Sequence, residues 1–273
     1  MHEILEMNKN VTRDLHHKIN RFCAPLVDYL EISHFYHWSL TNSGQFVCVG
    51  LNQAWEEYFF AENLQSLSPY IRHPDNFCTG ISSMNIVEDT QFSTLTNIAK
   101  ETYHVNLSLH IINKTKNGME TYGFATNTDH PIHHMKLINE LPLLRQFIKR
   151  FRQEIKPDNT ILLDNRVDIA SQIGSAFYKT PLKVTPNFDS LKRKNLLQQL
   201  MGEPIHSLTN REQSVIKLLL LGYSASQIAE RLFLSKRTIE HHIERIKNRL
   251  NCFSKSELIQ KARKLEAFEE FNI

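Results

Sequence analysis

Residues 237–250 read RTIEHHIERIKNRL. At about 100° per residue, Ile239, Ile243, Ile246 and Leu250 fall on one stripe, while Arg237, His241, Glu244 and Asn248 lie opposite and Glu240 and Lys247 flank them. The stretch is an amphipathic helix whose outer face admits two readings. Glu240, His241 and Glu244 are residue types that zinc accepts. A metal pair on a helix, however, needs ligands at i and i+4. The adjacent His241 and His242 diverge by about 100°, and no cysteine or second histidine completes the shell. We therefore expect no metal here, with His242 beside the apolar stripe and His241 facing out.

The preceding residues decide what the helix is for. From Leu208 the chain reads LTNREQSVIKLLLLGYSASQIAERLFLSKRTIEHHIERIKNRLNCFSKSELIQKA. Thr209 with Glu212, Ser224 with Gln227 and Ser254 with Glu257 have the spacing of a capping box. Ser235 is a further N-cap before Lys-Arg-Thr, and Gly222 follows an apolar run where a left-handed residue ends a helix. Four short helices are expected, the second and third at about 224–232 and 236–249 and joined by Phe-Leu-Ser. That is a helix-turn-helix, in which the second helix enters the major groove of DNA. Amphipathicity alone would equally suit a bundle with no such partner, but the charge argues otherwise. Residues 208–265 hold twelve Lys/Arg against five Asp/Glu, whereas residues 1–155 hold thirteen against sixteen. Ends of opposite sign imply different partners.

The Leu-Thr-x-Arg-Glu opening, the Gly222 stop, the Ile228-Ala229 pair and the Ser-x-x-Thr-Ile-x-x-His run from 235 to 242 closely resemble the C-terminal DNA-binding domain of LuxR-type bacterial transcription regulators. The resemblance covers roughly the last quarter of the chain. It implies double-stranded DNA as partner, with Glu240, His241 and Glu244 at positions from which that family reaches base edges and Lys236, Arg237, Thr238, Arg245 and Lys247 near phosphates. The family often has lysine where this chain has Glu240 and Glu244. Glutamate accepts from cytosine N4 but repels phosphate, so base reading and a solvated face both stay open for these two. The fourth helix, Ser254 to about Ala267, carries Leu258, Ile259, Ala262 and Leu265 at helical spacing, for the core and, by resemblance, for a second subunit in a homodimer.

The front portion has a different periodicity. Residues 11–30 read as an amphipathic helix, FYHWSLTNSGQFVCVGL as a hairpin hinged on Asn-Ser-Gly, and Val105 to Ala125 as a second hairpin turning at Asn117-Gly118. Residues 52–64 and 91–102 look helical, and Pro131 opens a long helix to about Ile155. The fold class expected is α+β: an antiparallel sheet with flanking helices at residues 1–155, a connector at 156–207 containing Pro157, Pro181, Pro186 and Pro204, and the four-helix domain at 208–273.

Residues 1–155 hold eighteen of the chain's twenty-six aromatics, including both tryptophans. Tyr36, Trp38, Trp55, Tyr58, Phe59 and Tyr70 are candidate lining for a ligand pocket over the sheet, although any one of them could as well be plain core. The order of elements resembles sensor domains of the PAS/GAF-like or autoinducer-binding kind that precede LuxR-type DNA-binding domains, which implies a small-molecule signal and a quorum-sensing role. Acyl-homoserine lactone sensors follow their Trp and Tyr with Asp-Pro. Here the pair is reversed, Pro74-Asp75, which speaks against that ligand.

Other chemistry is thinly represented. His130, His133 and His134 gather at a loop-to-helix junction, as surface residues or a transition-metal tract. Cys23, Cys48, Cys78 and Cys252 have no paired spacing and read as free thiols in a reducing compartment. The strands do not alternate with helices as a receiver domain would require. No P-loop, GxSxG, HExxH or dinucleotide fingerprint occurs, so neither an enzyme nor a cofactor is expected. No run of about 18 apolar residues and no signal peptide are present, and a cytoplasmic protein without membrane contact is expected. The expectation as a whole is a one-component transcription regulator controlled by a ligand, or else a ligand-independent one whose front domain dimerises or docks a protein.

Overall fold

The computed structural model of the 273-residue chain describes residues 2–84, 90–128, 130–179, 192, 196 and 208–269. It divides into two units, Met1–Pro186 and Asn187–Ile273, each with its own apolar core.

In the first unit, helix α1 spans His2–Leu30. It begins nine residues before the expected start because its buried stripe continues upstream: Ile4 and Met7 precede Val11, Leu15, Ile19 and Cys23 at helical spacing. Strands β1 (Ile32–Thr41) and β2 (Gln45–Gly50) form the first hairpin, and β4 (Asn106–Thr115) and β5 (Gly118–Thr126) the second, as the alternation predicts. Helices α2 (Gln53–Ala61) and α3 (Thr90–Tyr103) lie between the hairpins in sequence. The short strand β3 (Gly80–Ser83) precedes α3 and left no pattern of its own in the sequence. With a sixth short strand, β6 (Val167–Asp168), the described pairings are all antiparallel, in the order β3-β4-β5-β1-β2-β6.

The long helix expected after Pro131 is two: α4 (Pro131–Asn139) and α5 (Leu141–Ile155). The break falls at Glu140, two residues before Pro142, which lacks an amide proton and crowds the preceding turn. Helix α5 then presents Leu144, Ile148, Phe151 and Ile155 to the core.

Residues 156–179 of the segment read as connector join this same unit. Helix α6 (Asn159–Asp164), strand β6 (Val167–Asp168) and helix α7 (Ile169–Ile173) follow α5. Val167 pairs with Phe46 of β2, and Leu162, Val167, Ile169 and Phe177 are buried with the front core. The front core therefore runs past Ile155. The reading of Pro181, Pro186 and Pro204 falls outside the described residues.

The sheet is buried on both faces. Phe35 of β1 and Phe124 of β5 meet Phe147 and Phe151 of α5 at 5.0–6.3 Å between ring centres, and Phe22 of α1 joins them. The opposite face belongs to the cavity described below.

The second unit is the four-helix arrangement expected from its caps: α8 (Asn210–Leu220), α9 (Ala225–Leu232), α10 (Lys236–Arg249) and α11 (Lys255–Glu269). Both halves of the capping box are made at Thr209/Glu212 and Ser224/Gln227. At Ser254 only one half forms, since the Glu257 carboxylate accepts from the Phe253 amide instead. Gly222 has φ +87° as foreseen. In the α9–α10 turn the left-handed residue is Phe233, at φ +55° with its ring 94% exposed. Leu258 and Ala262 turn to the unit's own core and Ile259 is half-buried, so these α11 residues offer a partner less apolar surface than expected. The side chain of Leu265 lies outside the description.

One charged contact ties α8 to α10. The buried Glu212 carboxylate accepts from the Thr209 amide at 2.8 Å and from the Arg249 guanidinium at 2.9 Å. Burial works to raise the Glu212 pKa, but the Thr209 and Arg249 partners outweigh it and hold the carboxyl below its ordinary value. A depressed carboxyl stabilises the fold above its unfolded pKa and ceases to as pH falls through the folded one. Arg249→Ala is accordingly expected to cost about 1–3 kcal/mol at neutral pH, toward the low end because Arg249 is partly exposed. Hydrogen exchange at the amides of α8 and α10 should show this loss, and the gap from the parent protein should close in acid.

Candidate functional site

The exposed face of α10 is the first candidate. Ile239, Ile243 and Ile246 are buried, leaving Lys236, Arg237, Glu240, His241, Glu244 and Arg245 exposed. Arg237, Glu240, His241, Glu244 and Lys247 share one concave surface, to which the start of α11 adds Lys255, a residue that sequence reading did not single out. Thr238 lies at the helix start, half-buried, with its amide and hydroxyl both engaged by the Ser235 cap. The glutamates pair within the helix: Glu240 with Lys236 at 3.7 Å and Glu244 with Lys247 at 3.0 Å. Such exposed pairs hold weakly, so both lysines can exchange their carboxylate for a stronger anion. Among the described residues no group of His, Cys, Asp or Glu could hold a metal. In the histidine tract, His130 caps α4, His133 neighbours Glu31 and His134 meets Ser83.

The second candidate is an aromatic cavity of about 60 Å³ on the face of the sheet covered by α2 and α3. One cross-strand row builds its floor. Gly50, Tyr36, Gly123, His110 and Ser82 stand opposite one another on β2, β1, β5, β4 and β3. Tyr36 thus has a glycine on each side, and a Cβ at Gly123 would come within 2.0 Å of its ring. A Cβ at Gly50 would fall 2.0 Å from Glu56 Oε1.

Five of the six proposed lining residues meet here: Tyr36, Trp38, Trp55, Phe59 and Tyr70. Tyr58 is not among them. On α2 the inward positions are 55, 56, 59 and 60, and Tyr58 packs on Tyr103 at 5.2 Å. Asp75 does not reach the cavity either, being exposed and paired with Lys114 at 2.9 Å.

The polar residues of the cavity were missed. Glu56, Cys48, His34 and His110 line it, and all four are buried. His34 Nδ1 accepts from the Asn52 amide at 2.9 Å, which leaves the proton of the neutral ring on Nε2, 3.9 Å from Glu56 Oε1. Asn8 of α1 donates to Glu56 Oε2 at 3.4 Å, and the Cys48 thiol faces Oε1 at 3.9 Å. The Tyr36 hydroxyl hydrogen-bonds His110 Nε2, and Tyr70 bonds Ser82 at 2.8 Å. Burial pushes Glu56 up to about 8, against the pull of Asn8 and Cys48. It pushes His34 and His110 down to about 3 and the Cys48 thiol well above its ordinary value. At neutral pH the cavity is polar but largely uncharged.

Comparison with known proteins places one part of the chain. Residues 206–262 match the family described as "Bacterial regulatory proteins, luxR family", and this segment is a luxR-family helix-turn-helix. Oxygen regulatory protein NreC of Staphylococcus carnosus is 40% identical over 63 residues, 23% of this chain and 29% of that protein. NreC of Staphylococcus aureus strain JH9 is 37% identical over 127 residues, 46% and 57% of the two chains. A nitrate/nitrite response regulator protein homolog of Haemophilus influenzae is 37% identical over 67 residues, 24% and 32%. The chain thus spans between about a third and just over half the length of these relatives. Among solved structures, Escherichia coli SdiA matches with TM-score 0.35 and 15% identity over 95% of this chain and 90% of that one. A likeness this slight says nothing of a ligand.

The elevated Glu56 carboxyl has a measurable consequence. Between its ordinary unfolded value and about 8, the folded state holds a proton that the unfolded chain lacks. Stability contributed by Glu56 is therefore full in acid and is lost as pH rises, by about 1.4 kcal/mol per pH unit at most. Glu56→Gln should melt like the parent near pH 5 and at a higher temperature than the parent at pH 8–9, as followed by a pH series of thermal unfolding curves.

Proposed function

We propose that the chain is a one-component transcription regulator that binds double-stranded DNA as a homodimer through α10 and is controlled by a small molecule held in the front cavity. The observation that carries the DNA half is the concave face of α10 within a luxR-family segment, where Arg237, His241, Lys247 and Lys255 converge. A helix of this length, seated by its own apolar stripe and free on the other side, suits a major groove. Lys236 and Arg237 lie at its N-terminus, where backbone amides add to their hold on phosphate. Arg245 and Lys247 extend the phosphate contacts, His241 and the two glutamates face the bases, and Thr238 fixes the helix start. The ligand half is supported by a cavity with aromatic walls and a few converging polar groups. Among the described residues no catalytic constellation accompanies it, and the family matched is one of regulatory proteins. No described helix is long and apolar enough to cross a membrane, and a DNA-binding role supports a cytoplasmic location.

One observation favours a second reading, in which the front unit serves dimerisation or docking without a ligand. Phe22, Leu26, Tyr29, Leu143 and Phe147 line an open, mostly apolar groove between α1 and α5, and Tyr29 and Leu143 are exposed. Extraction of small molecules from the purified protein, followed by operator binding with and without them, separates the two readings. A ligand that changes operator affinity supports the first.

The groove assignment has its own test. Arg237→Ala should weaken operator and scrambled duplex alike and make the salt slope shallower by about one unit. His241→Ala should cost about 1–3 kcal/mol on the operator alone. Binding curves for both variants at several salt concentrations that superimpose on the parent's would remove α10 from the groove.

A further inference from the structure

The reading of the front unit as a small-molecule sensor leaves open which chemistry the cavity selects, and its charge inventory narrows that choice. Among the described residues the lining contains one carboxyl, Glu56, and no lysine or arginine. Each neighbour of that carboxyl presents a donor: the Asn8 amide from α1, the His34 Nε2–H from β1 and the Cys48 thiol from β2, at 3.4, 3.9 and 3.9 Å. These distances are long for hydrogen bonds, so the carboxyl is surrounded by partners that fall short of satisfying it. The rest of the wall is mainly aromatic, with Tyr36, Trp38, Trp55 and Tyr70 prominent. Ring faces attract cations, most strongly when water is excluded. A buried carboxyl held only by long hydrogen bonds, inside a ring-lined chamber whose described lining brings no cationic side chain, is complementary to one kind of guest.

We propose that the cavity takes a small organic monocation, a protonated amine on a compact apolar body, with Glu56 as its counter-ion and the surrounding rings as its walls. An anion would meet a carboxyl with no compensating base, and a neutral donor could hydrogen-bond Glu56 but would bring no charge to offset its ionisation. Binding the ammonium ionises Glu56 and releases its proton, so affinity rises with pH up to about 8, where free Glu56 titrates. Other titratable groups facing Glu56 do not obscure that dependence. His34, from β1, is held neutral by burial down to about 3, and Cys48, from β2, and Tyr36, from β1, are both pushed well above their ordinary values. Asn8, from α1, carries no charge.

Both tryptophans of the chain line the cavity, so their fluorescence in the full-length protein reports occupancy. Isobutylamine, isobutanol and isobutyrate are matched probes that differ in charge. The amine is expected to bind at least tenfold more tightly than the alcohol at pH 8 and to lose about tenfold per pH unit below that, with the alcohol indifferent to pH and the acid silent. This part of the test uses only the parent protein. Glu56→Gln, checked for cooperative melting, should remove the amine's advantage over the alcohol. Equal binding of amine and alcohol, an amine affinity independent of pH, or no response to any probe overturns the proposal. A neutral or anionic compound that co-purifies with the protein and alters operator binding would also overturn it, while leaving the sensor reading in place.

Discussion

The front unit depends on the placement of one side chain, Tyr36, between two strand positions that have no side chain at all. Gly50 and Gly123 flank it on the neighbouring strands, which lets the phenol ring lie over the sheet. From there its hydroxyl reaches His110 on β4, and Glu56 settles over Gly50, tying α2 to β1, β2 and α1 through His34, Cys48 and Asn8. A larger residue at either glycine would lift a ring or a carboxyl off the sheet, and α2 would have to move with it.

The two faces of the sheet divide the work. On one, Phe35, Phe124, Phe147 and Phe151 form a ring cluster with Phe22. At the edge of that cluster His37 stacks on Tyr122, whose hydroxyl accepts from Arg152 and donates to Glu120. That face is closed by its rings, and it supplies the stability that a cavity on the other face costs. On the cavity face the polar groups His34, Cys48, Glu56 and His110 gather where a guest can meet them.

The C-terminal unit was legible because its signals are local. A capping box spans four residues, and the stripe Ile239, Ile243, Ile246 and Leu250 lies within one helix, so neither needs a distant partner to be recognised. The cavity was legible only through its rings. Tyr36, Trp38 and Tyr70 announced bulk, but Glu56 stands in Trp-Glu-Glu-Tyr beside the exposed Glu57, and the two differ only in phase around α2. His110 stands in the sequence as a polar member of the alternating run Leu107, Leu109 and Ile111 with Ser108, which usually means water. Here both faces are covered, and its position points instead to a buried interior. Tyr58 was offered with the other rings as lining, although residues 55, 56, 59 and 60 make up the inward face. The connector concealed β6 because a two-residue strand carries too little pattern to register.

The turn between α9 and α10 has a consequence for how this domain can change. Its left-handed position is filled by a phenylalanine that has almost its whole ring in water, a conformation that costs an L-residue about 1 kcal/mol and that glycine adopts freely. The domain folds despite carrying that burden at its sharpest bend, so a single exchange at Phe233 would release stability without altering α10 or its cap. Mutational drift toward new base contacts often weakens a fold, and this chain holds in one turn an uncommitted margin against which such losses could be set.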